Sequence, residues 1–195
     1  MEPDLSLRDR KKVAVREALV VAALRLFRAR GFDAVTVDEI AEAAAVSRRS
    51  FFRYFPTKEA VLLDRRYEQL GRFRALLSGK GQKAPPFERV RRACLALAEE
   101  YVARRRQILE ERAIVAVAPS LVARDLEIDR AFESVIEEAL GGSLRARICA
   151  AAVVGVIRVV LEDWATSKGK LDLAAVGGEA LDLLAPLAPH VRGGV

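Results

Sequence analysis

Apolar residues recur at intervals of three and four along most of the chain, with charged residues between them, so the pattern is helical nearly throughout. The first run predicts a helix over residues 9–30, carried by Val13, Leu19, Val20, Ala23, Leu24 and Phe27, with Gly31 as its stop. Two short patterns follow, at 36–44 and 47–55. Pro56 ends the second, and Thr57 is placed to cap a helix over 57–78 with Ala60, Val61, Leu63, Tyr67, Leu70, Phe73 and Leu77. Gly71 interrupts that helix at a cost of about 1 kcal/mol relative to alanine. SGKGQKAPP, residues 78–86, is the clearest break. Beyond it, helices are predicted over 87–104, over 107–117 with Pro119 as its end, over 120–140 closed by Gly141-Gly142, over 144–167 capped by Ser143, and over 172–187. Residues 1–7 read as a loose arm and HVRGGV as a frayed tail. No strand-like alternation and no fixed-period repeat occurs, so the fold class is all-α.

The stretch TVDEIAEAAAVSRRSFFRYFPTK, residues 36–58, carries the most specific signal. Thr36 and Glu39 stand in the register of a capping box, and Ile40 and Ala44 share one face of the short helix that follows. Ser47 opens a second helix only three residues after Ala44. Its apolar face is Phe51 and Phe55, while Arg48, Arg49, Phe52, Arg53 and Tyr54 point elsewhere. A helix, a tight turn and a second short helix with a basic, aromatic outer face form a helix-turn-helix. The second helix should enter the major groove of double-stranded DNA with its N-terminal residues nearest the base edges. Arg48 and Arg49 are therefore the candidates for base readout, since an arginine can bond two guanine acceptors at once. Ser50 is in reach of a base or a phosphate, and the amides that follow Thr36 and Thr57 can hold phosphate. The competing reading for each single arginine is a solvated charge.

These residues, together with GFDAVT just before them, resemble the N-terminal signature of the TetR family of transcriptional regulators over residues 13–63. The resemblance implies a three-helix DNA-binding domain over residues 8–56, followed by a helical effector-binding and dimerisation domain over 57–190. By the family's pattern Thr36, Ser47, Arg48, Arg49, Ser50, Phe52, Tyr54 and Lys58 form the DNA-binding set, with Tyr54 and Lys58 on phosphates. Three positions depart from that pattern. Ala45 stands where glycine is common, which implies strain or a different turn geometry. Arg49 stands where a small residue is common, and so offers a further base contact. Phe52 replaces a common tyrosine and can offer a thymine methyl only apolar contact.

The resemblance further implies a homodimer paired through the last two helices, with the small residues Ala150, Ala151 and Gly155 allowing close approach. The alternative is that these helices only fill the core. In such regulators the helices over 87–140 surround a small hydrophobic or amphipathic effector, and Tyr101, Leu109, Phe132, Arg158 and Trp164 are the pocket candidates. Arg158 lies within an apolar helix, where an acyl-CoA-like anion would neutralise it; the plainer reading pairs it with Glu162 one turn on. The FFRYF variant is similar to an actinobacterial subgroup that includes mycofactocin-system regulators, some responsive to long-chain acyl-CoA.

Composition adds bounds. Hydrophobic residues are 52% and charged residues 31% of 195, which suits a helical protein with a substantial core. The net charge is +6, and residues 1–58 hold twelve Lys or Arg against eight Asp or Glu. Arg8, Arg10, Lys11, Lys12 and Arg16 crowd the start of the first helix, where they oppose its dipole; a phosphate backbone or plain solvation would each account for them. Cys94 and Cys149 read as buried reduced thiols. One histidine, His190, and no CxxC leave no zinc site, and no cofactor is expected. HExxH, GxSxG and GxGxxG are absent, so no catalytic residue is expected and an enzyme is the weakest reading. The charged start and a longest apolar run of ten residues, 148–157, predict a cytoplasmic protein without membrane spans. Two further readings remain: an effector-independent or activating regulator, and a sequence-indifferent architectural DNA binder.

Overall fold

The structure is a computed structural model that describes residues 6–79 and 83–189. Residues 1–5 of the expected 1–7 arm, the centre of the glycine- and proline-rich break, and the tail from His190 onward lie outside the described residues, while Ser6 and Leu7 belong to the start of the first helix and not to an arm. Among the described residues the regular elements are all helical, as the hydrophobic pattern predicts. They are α1 (Leu7–Arg30), α2 (Val37–Ala43), α3 (Arg48–Tyr54), α4 (Ala60–Leu77), α5 (Pro86–Ala103), α6 (Arg105–Val115), α7 (Pro119–Ala139), α8 (Leu144–Thr166) and α9 (Leu173–Asp182), then a 3-10 turn, Ala185–Leu187. Among the described residues no helix is long and apolar enough to cross a membrane.

Side-chain caps set most helix starts. The hydroxyl or carboxylate oxygens of Ser6, Thr36, Ser47, Ser143 and Asp172 each accept a hydrogen bond from the backbone amide three residues on. Ser6 explains why α1 begins at Leu7, two residues before its predicted start. Three ends differ from expectation for local reasons. Thr57 still accepts from the Ala60 amide at 3.3 Å, but residues 57–59 form a turn and α4 starts at Ala60. Pro119 opens α7 instead of closing α6, because its missing N–H is harmless in a first turn. The last helix gives way after Asp182, and Pro186 sits in the 3-10 turn where no helical amide is required of it.

The chain divides into two compact units. The first comprises residues 1–65 and 110–122. Its interior holds Leu19, Val20, Ala23, Leu24 and Phe27 of α1, Phe32 and Val35 of the following loop, Ile40 of α2, and Phe51 and Phe55 around α3, all buried. Helices α1 and α2 pack together, as do α2 and α3. The rings of Phe27 and Phe32 meet at 5.0 Å, and those of Phe51 and Phe55 at 5.9 Å. Full burial of each such side chain stabilises by about 1.5–3 kcal/mol. Glu111 is buried in this unit against Arg65, at 3.2 Å.

The second unit comprises residues 66–109 and 123–195. One apolar cluster joins Phe73, Val90, Ile136, Leu140, Cys149, Val153 and Leu181, and another joins Tyr101, Ile108, Val160, Leu161, Trp164 and Leu173. Helix α9 packs on both α5 and α8, and a two-bond pair from Arg91 to Asp182 fastens α5 to it. Both thiols are reduced. Burial pushes the Cys94 thiol up to about 12 and raises that of Cys149 as well.

Candidate nucleic-acid interface

The turn between α2 and α3 is built as a helix C-cap. The Val46 amide donates to the Ala41 carbonyl and the Ala45 amide to the Glu42 carbonyl, both at 2.9 Å, which is the Schellman pairing. That pairing needs a left-handed residue between the two helices, and Ala45 supplies it with φ +55°. Glycine adopts this conformation freely and alanine does not. Of the two readings of Ala45, strain holds: the turn is a Schellman C-cap with alanine in its left-handed position. On the other side of α2, Thr36 and Glu39 form the complete capping box. Arg30 donates to Glu39 at 2.6 Å and to the Ala34 carbonyl at 2.9 Å, tying the end of α1 to the start of α2. The Thr36 amide and then the Arg30 guanidinium hold the Glu39 carboxyl down to about 2.

Helix α3 buries Phe51 and leaves Phe52 substantially exposed, 43%. Ser47 caps it through the Ser50 amide, and the two hydroxyls are joined at 3.1 Å. Arg48, Arg49 and Arg53 are all exposed. Their surroundings differ. Arg48 donates through Nη1 to Asp38 Oδ2 of α2 at 2.5 Å, and its guanidinium stands 5.4 Å from the Phe52 ring centre. Arg53 stands 5.2 Å from the Tyr54 ring centre. Arg49 takes part in no ion pair among the described residues. The Phe52 ring lies edge-on to Phe51 at 5.4 Å, so the exposed aromatic is anchored to the buried one.

Lys58 has an additional task that its sequence position does not reveal. Its Nζ donates to the Phe32 carbonyl at 2.9 Å and the Val35 carbonyl at 3.0 Å, and it sits 4.2 Å from the Phe32 ring centre. Two of its three protons thus hold the loop between α1 and α2, leaving one for an outside acceptor. Arg16, expected among the free cations of α1, is instead bonded to Asp64 at 2.6 Å and lies over Phe55 at 5.3 Å. Arg8, Arg10, Lys11 and Lys12 are exposed. The eight DNA-binding candidates lie in or beside one helix-turn-helix: Thr36 and Ser47 as caps, Arg48, Arg49, Ser50, Phe52 and Tyr54 on α3, and Lys58 just after it.

The five effector candidates belong to the second unit, and Tyr101, Phe132 and Arg158 are tied directly or through Asp129 to a residue absent from the sequence-based set, Arg66. Its guanidinium bonds Asp125 at 2.9 Å and Asp129, stands 5.6 Å from the Phe132 ring centre, and interacts electrostatically with the Tyr101 side chain. Trp164 lies edge-on to Tyr101 at 6.2 Å, and Leu109 packs against the same cluster. Arg158 is 47% exposed and pairs with Asp129 at 3.8 Å, not with Glu162. The intrahelical pairing loses because Asp129 already sits beside Arg66, where a second cation offsets its remaining charge. The buried cation of this region is Arg66, and it has carboxylate partners within the chain. Among the described residues no group of three or more His, Cys, Asp or Glu is arranged to hold a metal.

Comparison with known proteins follows the same division. Residues 19–64 match the family described as bacterial regulatory proteins, tetR family. The transcriptional regulator TcmR of Streptomyces glaucescens is 49% identical over 57 residues, covering 29% of this chain and 25% of TcmR. MftR of Mycobacterium tuberculosis, named for mycofactocin biosynthesis regulation, is 36% identical over 74 residues, covering 38% of this chain and 37% of MftR. The chain thus spans about a quarter to over a third of the length of these curated relatives. The solved structure of Thermus thermophilus FadR, a transcriptional repressor in complex with lauroyl-CoA, is similar at 30% identity. That likeness covers 92% of this chain and 98% of FadR, with a TM-score of 0.62.

Proposed function

Since the chain belongs to the TetR family of bacterial transcriptional regulators, we propose that it is a repressor that binds a palindromic DNA operator as a homodimer and is released by a small hydrophobic or amphipathic effector. The observation that carries the DNA half of this reading is α3 itself. Its inner side is buried at Phe51, its outer side presents three exposed arginines and an exposed phenylalanine, and its angle to α2 is fixed by a Schellman turn and two caps. Such a helix fits the major groove. Arg48 and Arg49 read base edges, Ser50 and Ser47 lie at the groove entrance, Phe52 meets a thymine methyl, and Tyr54, Thr36 and the free proton of Lys58 hold phosphates.

One such head buries too little to be specific, and two-fold pairing supplies the second half-site. Helices α8 and α9 suit that pairing. Ile148, Val159 and Leu183 are 56%, 57% and 79% exposed in the single chain, and Ala151 adds a small exposed position. Residues 8–56 act as the reading head and 57–190 as the effector and pairing part, working in the cytoplasm. The effector enters beside Tyr101, Phe132 and Trp164, with Leu109 and Arg158 at the margins. It favours the state that fits DNA poorly, a shift between two populations. FadR's lauroyl-CoA complex supports an acyl-CoA-like compound. Selection of bound duplexes from random DNA tests the reading: it should return a palindrome. Lauroyl-CoA added to the protein–operator complex should then lower affinity, whereas an effector-independent regulator would leave it unchanged.

A further inference from the structure

Asp38 stands in the first turn of α2, where its charge suits the helix dipole, but it is not part of the capping box: that is made by Thr36 and Glu39, each bonded to the other's backbone amide. Asp38 is exposed, yet its carboxylate reaches across the turn to Arg48 Nη1 at 2.5 Å. An exposed pair of this kind contributes little to folding. What it does is hold a side chain. The Arg48 guanidinium is pinned on one side by Asp38 and on its face by Phe52, while its neighbour Arg49 has neither anchor.

We propose that Asp38 is a specificity-determining positioning residue, which fixes Arg48 so that its free edge selects guanine; this rests on the DNA reading above. The chemistry follows from the atoms. With Nη1 engaged, the Nε–H and one Nη2–H remain side by side on the other edge of the planar guanidinium. That fork matches the O6 and N7 acceptors of guanine. An unanchored arginine samples many rotamers and settles on phosphates as readily as on bases. An anchored one has lost that freedom before binding, so its bonds favour the matching base. The Asp38 carboxylate also repels phosphate oxygens whatever the sequence, so it lowers the sequence-independent share of the affinity against which the guanine contact is measured. Arg49, unanchored, reads its base with less discrimination than Arg48.

The test uses the full chain and the duplex that it selects from random DNA. Binding is measured by fluorescence anisotropy on that operator, on variants with each half-site base pair changed singly, and on an unrelated duplex, over a range of salt. Asp38→Asn keeps the shape and removes the charge. It should lower discrimination at one symmetry-related G·C pair by about tenfold and leave the other positions as they are. Binding to the unrelated duplex should hold or strengthen, with a steeper salt dependence. Arg48→Ala should lose the same base pair, and adding Asp38→Asn to it should change nothing further there. Two results overturn the proposal: unchanged discrimination in Asp38→Asn, or a uniform loss on every sequence accompanied by a lower melting temperature, which marks a folding role. If the unaltered chain selects no sequence at all, the DNA reading itself fails and the proposal with it.

Discussion

Ala45 is the position where the structure makes its sharpest energetic statement. Its φ of +55° is imposed by the hydrogen bonds of Ala45 to Glu42 and of Val46 to Ala41, which close α2 and launch α3. A residue with a Cβ held left-handed is destabilised by about 1–2 kcal/mol. Replacing it with glycine removes that strain but frees the unfolded chain, which costs about 0.4–1 kcal/mol. Ala45 is exposed, so its methyl contributes no packing that would be lost. Ala45→Gly should therefore stabilise the protein by about 0.5–1 kcal/mol, or roughly 1–4 °C in melting temperature for a chain of this length. Urea unfolding followed by circular dichroism should show a higher midpoint with an unchanged slope. Ala43→Gly, two residues earlier and helical, supplies the opposite sign: it should cost about 0.5–1 kcal/mol. If Ala45→Gly were as destabilising as Ala43→Gly, the turn would not be strained and the reasoning would be wrong.

Other expectations follow from the same geometry. The Glu39 carboxyl, held down to about 2 from its ordinary 4.5, adds stability that is complete above about pH 4.5 and disappears as the pH falls toward 2. Glu39→Gln should thus be less stable than the unaltered protein at pH 6, with the gap narrowing as the pH falls from 4.5 toward 2; melting curves over that range check it, and a constant gap contradicts it. Arg66 is only 17% exposed and holds Asp125 and Asp129. Arg66→Met keeps the contact with Phe132 but takes this cation from Asp125 and leaves Asp129 with the more distant Arg158, and should cost about 3 kcal/mol in urea unfolding; a cost below 1 would mean that the network is not energetically buried.

Local chemistry was legible in the sequence, and long-range chemistry was not. The Thr36–Glu39 box, the helix starts at Ser47 and Ser143 and the burial of Phe51 and Phe55 all lie within a few residues of their causes, so spacing reveals them. Arg66 finds its carboxylates 59 and 63 residues away, and Lys58 finds its carbonyls 23 and 26 residues away; no local pattern encodes either. Arg158 illustrates the limit. The i+4 rule offered Glu162, but tertiary folding brought Asp129 closer. Proline fits a helix end and a helix start equally well, and only the place of Pro119 in α7 decides between the two.

The central claim is that α3 reads DNA through Arg48 and Arg49. Its most direct test is the affinity of Arg48→Ala/Arg49→Ala for the selected operator and for an unrelated duplex at physiological salt. Each base-reading arginine removed should cost about 1–3 kcal/mol on the operator. The predicted result is a loss of at least tenfold on the operator, a collapse of the ratio between operator and unrelated DNA, and an unchanged melting temperature. Undiminished operator affinity in this double variant would contradict the account.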